Sequence, residues 1–431
     1  MNKMPDKITN KQSSEALEKI IKNKGLSNKN DTSAVFYNLS FLEERINEVK
    51  KAFPQNTLHA VAIKANPLLE SLKFIKRLNV GVEAASLPEV FLAVKAGFPG
   101  RKIVFDSPAK TEEEISFALK KGININADSF GELDIIKTLL KKYKTRSKIG
   151  IRINPQVGTG KIVETSVAGS YSKFGVPIKE YRDELQNYFL QNEWLRSVHL
   201  HIGSQGISKS MLIKGIKIVY DFTVRTNSIL IKHKQKPIQT FDIGGGLPVS
   251  YFPNTKAITV KEYSVGLKKV CPELFTDKFK LVTEFGRYIY ANSAFAISKV
   301  EYVKKSKGIN TAVIHLGADM FLRKAYMPQK WHHEIFVLNG EGRLKQGRKG
   351  KYVIAGPLCF AGDVLARGIL LPEIKVGDYI IIKDVGAYTM SMWSRYNSRQ
   401  MPKVIGYKPY SNKFLMLKKQ ESIKEAIGVW Y

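Results

Sequence analysis

A regular alternation of extended and helical segments constrains this chain more than any other feature. β-type runs begin near Leu58, Val80, Lys102, Ile123, Lys148, Ser197, Thr240 and Lys280, and helical stretches such as 112–120, 130–141 and 211–227 separate them. Strands alternating with helices in this number predict a parallel (β/α)8, TIM-like barrel. A doubly wound open sheet obeys the same local grammar and is the alternative. Both folds gather ligands at the carboxyl ends of their strands. After Tyr288 the rhythm changes. Short β-type runs at 297–303, 311–316, 334–338, 352–355, 379–383 and 414–417 are split by Gly, Pro and charged turns, which predicts a C-terminal all-β domain. The expected organisation is an N-terminal arm (1–33), a barrel (34–288) and a β domain (289–431). In the arm, a short amphipathic turn is expected around Leu17, Ile20 and Ile21, with the rest loose. Ser40 and Glu43 read as a capping box for a helix whose buried face carries Leu42, Ile46, Val49 and Phe53.

The barrel strand ends carry residues foreign to a core. The run 58–63 is apolar, yet Lys64 follows it, and Asn66-Pro67 ends the extended segment. A lysine at the end of a buried strand needs a partner or a route to water. A third solution is covalent: a desolvated amine forms a Schiff base with an aldehyde such as pyridoxal phosphate. His201 and Ser204 follow the sixth strand, Gly244, Gly245 and Gly246 the seventh, Glu284 and Arg287 the eighth. A glycine run lets backbone N–H groups close on a phosphate, although three glycines also make a simple turn. A carboxylate such as Glu284 would keep a pyridine nitrogen protonated; its alternative is a strand-end pair with Arg287.

Composition excludes several classes. The net charge is +31, but the lysines are spread along the chain and form no nucleic-acid motif, so no nucleic-acid partner is expected. No apolar run is long enough for a membrane span and the first residues lack a secretory h-region, so a cytoplasmic location without a membrane partner is expected. The two cysteines, Cys271 and Cys359, rule out a disulfide framework or Cys-rich zinc site, and no metal is expected.

Seven ordered motifs make the reading specific: AIKANP at 62–67, SKFG at 172–175, HIGSQ at 201–205, DIGGGLP at 242–248, EFGR at 284–287, GPLCFAGD at 356–363 and GAYTMSMWSRYNS at 386–398. Together they resemble the fold-type III pyridoxal-phosphate decarboxylases, the family of diaminopimelate, ornithine and arginine decarboxylases, with the motifs leaning toward the diaminopimelate branch. The resemblance implies α-decarboxylation of a small-molecule amino acid with pyridoxal 5'-phosphate as cofactor. It implies that Lys64 holds the cofactor covalently, that His201 stacks on its ring, and that Glu284 meets its ring nitrogen. Ser204, Gly244, Gly245, Gly246, Arg287 and Tyr388 would surround its phosphate. Arg323 would bind a substrate carboxylate, and Cys359 would act as proton donor from the second subunit of a homodimer with shared sites.

Two departures concern the substrate. Where the diaminopimelate enzymes place a glutamate and the ornithine enzymes an aspartate, after the cysteine, this chain has Phe360. The family's tyrosine placement near Arg323 is also shifted, with Tyr326 followed by Met327. A free distal amine would need another acid, with Asp363 and Glu83 as candidates. The expected substrate is therefore either of the diaminopimelate type or a larger or conjugated amino acid of the kind found in siderophore or antibiotic biosynthesis. A racemase on the same barrel and a catalytically dead binding homologue are the remaining alternatives.

Overall fold

The computed structural model describes residues 8–22, 31–252, 255–409, 411 and 414–431. These divide into two compact units, drawn from Met1–Glu44, Ser250–Lys256 and Ile289–Tyr431, and from Arg45–Val249 and Ala257–Tyr288.

The second unit is a closed parallel barrel. Its strands are, in order, Leu58–Ala62, Gly81–Ala84, Ile103–Asp106, Asn124–Ala127, Ile149–Asn154, Leu195–His199, Thr240–Asp242 and Lys280–Thr283. Each pairs in parallel with its neighbours, and the eighth returns to the first through Val282 and Leu58. Closure excludes the open doubly wound sheet. The strands are buried on both faces, which is why they read as apolar runs rather than alternations. Helices at Glu112–Lys120, Phe130–Lys142 and Lys209–Lys232 follow expectation; the first opens with a capping box between Thr111 and Glu114.

The first unit is built on a nine-stranded sheet. Six of its strands match the expected runs, while Val364–Pro372 and Lys403–Tyr407 were not anticipated, since an internal glycine breaks each pattern. Three further expectations need correction. The strand Ser33–Asn38 does not open the barrel. It pairs antiparallel with Ala294–Ser306 and parallel with Lys403–Tyr407, at the centre of this sheet. A local strand signal reveals extension but not the partner. The short amphipathic turn expected around Leu17, Ile20 and Ile21 is part of a longer helix, Asn10–Lys22, so residues 10–16 are not loose, and Leu17 and Ile20 join Phe36, Phe295, Phe336 and Ile381 in one core. The rest of the expected arm, 1–7 and 23–30, lies outside the described residues. The helix Leu39–Ala52 is capped by Asn38, whose Oδ1 accepts the Phe41 N–H at 3.0 Å, so Ser40 lies inside it and makes no capping box. Leu42, Ile46, Val49 and Phe53 are buried as expected. Among the described residues no helix is long and apolar enough to cross a membrane.

Candidate active site

The carboxyl ends of the barrel strands bring eight of the anticipated residues to one end of the unit. Lys64 lies in a single 3-10 turn, Ile63–Ala65, directly after the first strand. Its Nζ donates to both oxygens of Glu83, at 2.8 and 2.7 Å. Glu83 sits on the second strand and is fully buried. Burial pushes its carboxyl up, Lys64 pulls it down, and Glu284 and Asp106 add to the rise; the net value is about 8. The raised carboxyl of Glu83 is thus placed within hydrogen-bond reach of the Lys64 amine.

Gly244 and Gly245 are required by close approach. Gly244 has φ +63°, and a Cβ on Gly245 would lie 2.5 Å from the Glu284 carbonyl oxygen. The Gly245 N–H donates to His201 Nδ1 at 3.1 Å, seating the imidazole on the glycine run. Burial, with Arg152 and Lys64, holds His201 well below its usual pKa. It is thus neutral, and the bond at Nδ1 leaves its proton on Nε2. Arg287 Nε donates to Ser204 Oγ at 3.0 Å. Gln205 clamps the loop after the glycines, donating to Val249 O at 2.7 Å and accepting from Val249 N at 3.1 Å.

A buried charge network lies beside these groups. His199 Nε2 is 3.5 Å from Glu284 Oε2, and its Nδ1 is 3.6 Å from Asp106 Oδ1. Burial opposes its charge, but Asp106 and Glu284 outweigh burial and raise it to about 9. Asp106 also meets Arg152 at 3.4 Å; despite burial, His199, Arg152 and Lys110 hold it well below the carboxylate range. Burial and Glu284 push Asp242 well above that range. Arg152 in turn lies 4.4 Å over the Phe174 ring, which gives the SKFG stretch its place. Asp106, His199 and Glu284 have ligand atoms within 4.8 Å of one another, a spacing that a cation can use. The basicity of His199 favours a proton there. Sequence reasoning missed Asp106, Arg152 and His199. The available signal was a charged residue on an otherwise apolar barrel strand, as at Lys64.

In the sheet unit, the Arg323 guanidinium lies 4.8 Å from the ring centres of both Trp331 and Tyr388. Tyr388 has φ +57°, a backbone strain of the kind that collects at functional sites. Cys359 is exposed; its N–H donates to Asn397 Oδ1 at 2.9 Å and its carbonyl accepts from Tyr396 OH at 3.0 Å. Phe360 stacks on Tyr326 with centroids 5.6 Å apart. Asp363 is buried, and its two oxygens accept the Ala318 and Leu358 N–H groups at 2.6 and 2.7 Å. It holds the loop and offers no carboxylate to a substrate.

The barrel residues fit pyridoxal phosphate on their own geometry. Glu284 is buried and its Oε1 has no hydrogen-bond partner, an orphan that a protonated ring nitrogen would satisfy. The glycine turn and the Arg287–Ser204 pair carry N–H and O–H donors of the kind a phosphate needs.

Comparison with known proteins agrees. The model for "Pyridoxal-dependent decarboxylase, pyridoxal binding domain" matches residues 39–291. The diaminopimelate decarboxylase of Helicobacter pylori is 31% identical over 402 residues, 91% of this chain and 94% of that one. That of Aquifex aeolicus is 30% identical over 370 residues, 85% and 84% of the two chains. The crystal structure of the Helicobacter pylori enzyme complexed with L-lysine superposes with a TM-score of 0.82 at 30% identity, covering 95% of this chain and 99% of that one. The lysine/ornithine decarboxylase of Vibrio vulnificus, at 20% identity and a TM-score of 0.75, shares the fold. With a family match over more than half its length and relatives that align almost end to end, this chain belongs to the pyridoxal-phosphate-dependent amino-acid decarboxylases, as a diaminopimelate-decarboxylase-like member.

Proposed function

We propose that the enzyme decarboxylates an amino acid whose distal end lacks a free ammonium, being acylated, carboxylated or bulky. The observation that carries this reading is Phe360, stacked on Tyr326 where the resembled enzymes carry an acid. A desolvated ammonium without an anionic partner loses several kcal/mol, and an aromatic face returns only about 0.5–2 kcal/mol. Neither candidate acid compensates: Asp363 is bound to backbone amides and Glu83 to Lys64. Arg323, held between two rings, is suited to a substrate carboxylate.

Bound pyridoxal phosphate supplies the electron-accepting ring that takes up the pair released when CO₂ departs. The chain's own residues do the rest. Lys64 provides the amine that anchors the cofactor, and Glu83 takes and returns the Lys64 proton. Glu284, whose Oε1 has no partner and whose Oε2 lies 3.5 Å from His199, would keep the ring nitrogen protonated. His201, neutral and flat, covers the ring. Ser204, Arg287 and the glycine amides would hold the phosphate. Cys359 protonates the substrate Cα from a second copy of the chain, for which its exposure on its own chain speaks.

The test is kcat/KM over a panel of free and distally acylated or carboxylated amino acids, for wild type and Phe360→Glu. Borohydride reduction and peptide mapping accompany it and should place the label on Lys64. The wild type is expected to prefer the capped substrates by at least about tenfold, and Phe360→Glu to shift the preference toward diaminopimelate. Efficient diaminopimelate turnover by wild type, unchanged in Phe360→Glu, would restore diaminopimelate as the substrate.

A further inference from the structure

At the amino ends of the barrel strands, opposite the candidate active site, the same unit carries a second cleft of about 380 Å³. Four cations line it: Lys50 from the helix Leu39–Ala52, Arg101 and Lys102 just before the third strand, and Lys280 at the start of the eighth. Two are fixed in place, Lys50 on the Leu78 carbonyl and Lys102 on Asn79 Oδ1. Among the described residues none of the four makes an ion pair. An acid does reach the lining: the Asp277 carboxylate accepts from Asn56 at 3.4 Å. Elsewhere the lysines find acids, as in Lys217–Asp221, Lys345–Asp378 and Lys403–Asp31.

Such a cluster costs the free protein stability. Burial, Lys50, Arg101 and Lys280 together hold Lys102 below its usual range, and burial with Lys280 does the same to the neighbouring Lys148. Like charges around a low-dielectric cleft repel one another and focus a positive potential on its interior. An anion placed there offsets the repulsion.

We propose that this cleft binds a short polyphosphate chain, the chemistry shared by inorganic triphosphate and the phosphates of a nucleotide. Several cations around so small a volume match an anion with several charges closely spaced along it. Arg101 offers a fork for two phosphate oxygens, the lysines act as point charges, and Asn56 and Asn79 supply amide donors. The lining has no aromatic face for a nucleobase. Its one ring, His59, is buried and engaged with Thr283 at 2.9 Å. The phosphate chain, not a base, is therefore the recognised element.

Cofactor-loaded protein is the right material, because its active-site phosphate cradle is already filled. Calorimetric titration and thermal unfolding at constant ionic strength would compare sodium triphosphate, ATP and AMP. One saturable site per chain is expected for triphosphate and ATP, with AMP at least about tenfold weaker. Equal affinities for triphosphate and ATP assign the phosphate chain alone; tighter ATP binding assigns a nucleotide as its source. The double variant Lys102→Gln/Lys280→Gln should weaken binding at least about tenfold and leave ligand-free kcat unchanged. Arg101→Gln, at an exposed position, repeats the test without risk to folding. Absence of any heat or melting shift with triphosphate, or binding that survives both variants, overturns the proposal.

Discussion

At the scale of single residues, the decisive property is where charge is buried. Lys64 was legible because it ends an apolar strand, and the glycine run because only glycine permits that approach. Asp106 and His199 were not, since each is an ordinary residue until the barrel closes and puts them 3.6 Å apart. His199 gives a pH prediction. Its pKa rises from 6.5 to about 9 in the fold, so the protonated form is bound more tightly by the native state. The stabilisation is complete below pH 6.5 and is lost as pH rises through 9. Glu83, raised to about 8, acts in the same direction. The His199 contribution is on the order of 3 kcal/mol. Denaturant midpoints of wild type should fall from pH 6.5 to pH 9. His199→Asn should start lower and fall less steeply; parallel curves would remove His199 from the network.

At the scale of elements, the eight barrel strands were readable because burial on both faces leaves a continuous apolar run. The helix Asn10–Lys22 was nearly invisible, since only Ser13, Ala16, Leu17 and Ile20 of its residues are buried and its surroundings are polar. Its attachment is testable. Leu17 is fully buried in the sheet core. Leu17→Ala should cost about 2–5 kcal/mol in denaturant unfolding, as for other core leucines. A loose arm would show a loss within about 0.5 kcal/mol. The capping signal at Ser40 and Glu43 misled for a related reason. Asn38, at the end of the preceding strand, reaches the first free amide before Ser40 does.

At the scale of the molecule, the proposed chemistry needs two copies of the chain. Lys64 belongs to the barrel unit, and Cys359 is exposed on the sheet unit, its backbone held by Tyr396 and Asn397. If Cys359 serves the partner's Lys64, Lys64→Ala and Cys359→Ala proteins are each inactive alone. Mixed with subunit exchange they should recover up to about a quarter of wild-type turnover, because one hybrid site in each heterodimer is whole. Exchange without recovery would place both residues in the same chain's site. The strand Ser33–Asn38 sets a different requirement, one of time. Its partners, Ala294–Ser306 and Lys403–Tyr407, are made long after it. At roughly 5–20 residues per second, synthesis leaves this apolar strand unpaired for on the order of ten seconds or more, while the whole barrel emerges behind it. During every round of translation this strand is therefore exposed to aggregation, and a barrel truncated before residue 294 would keep its edge exposed for good.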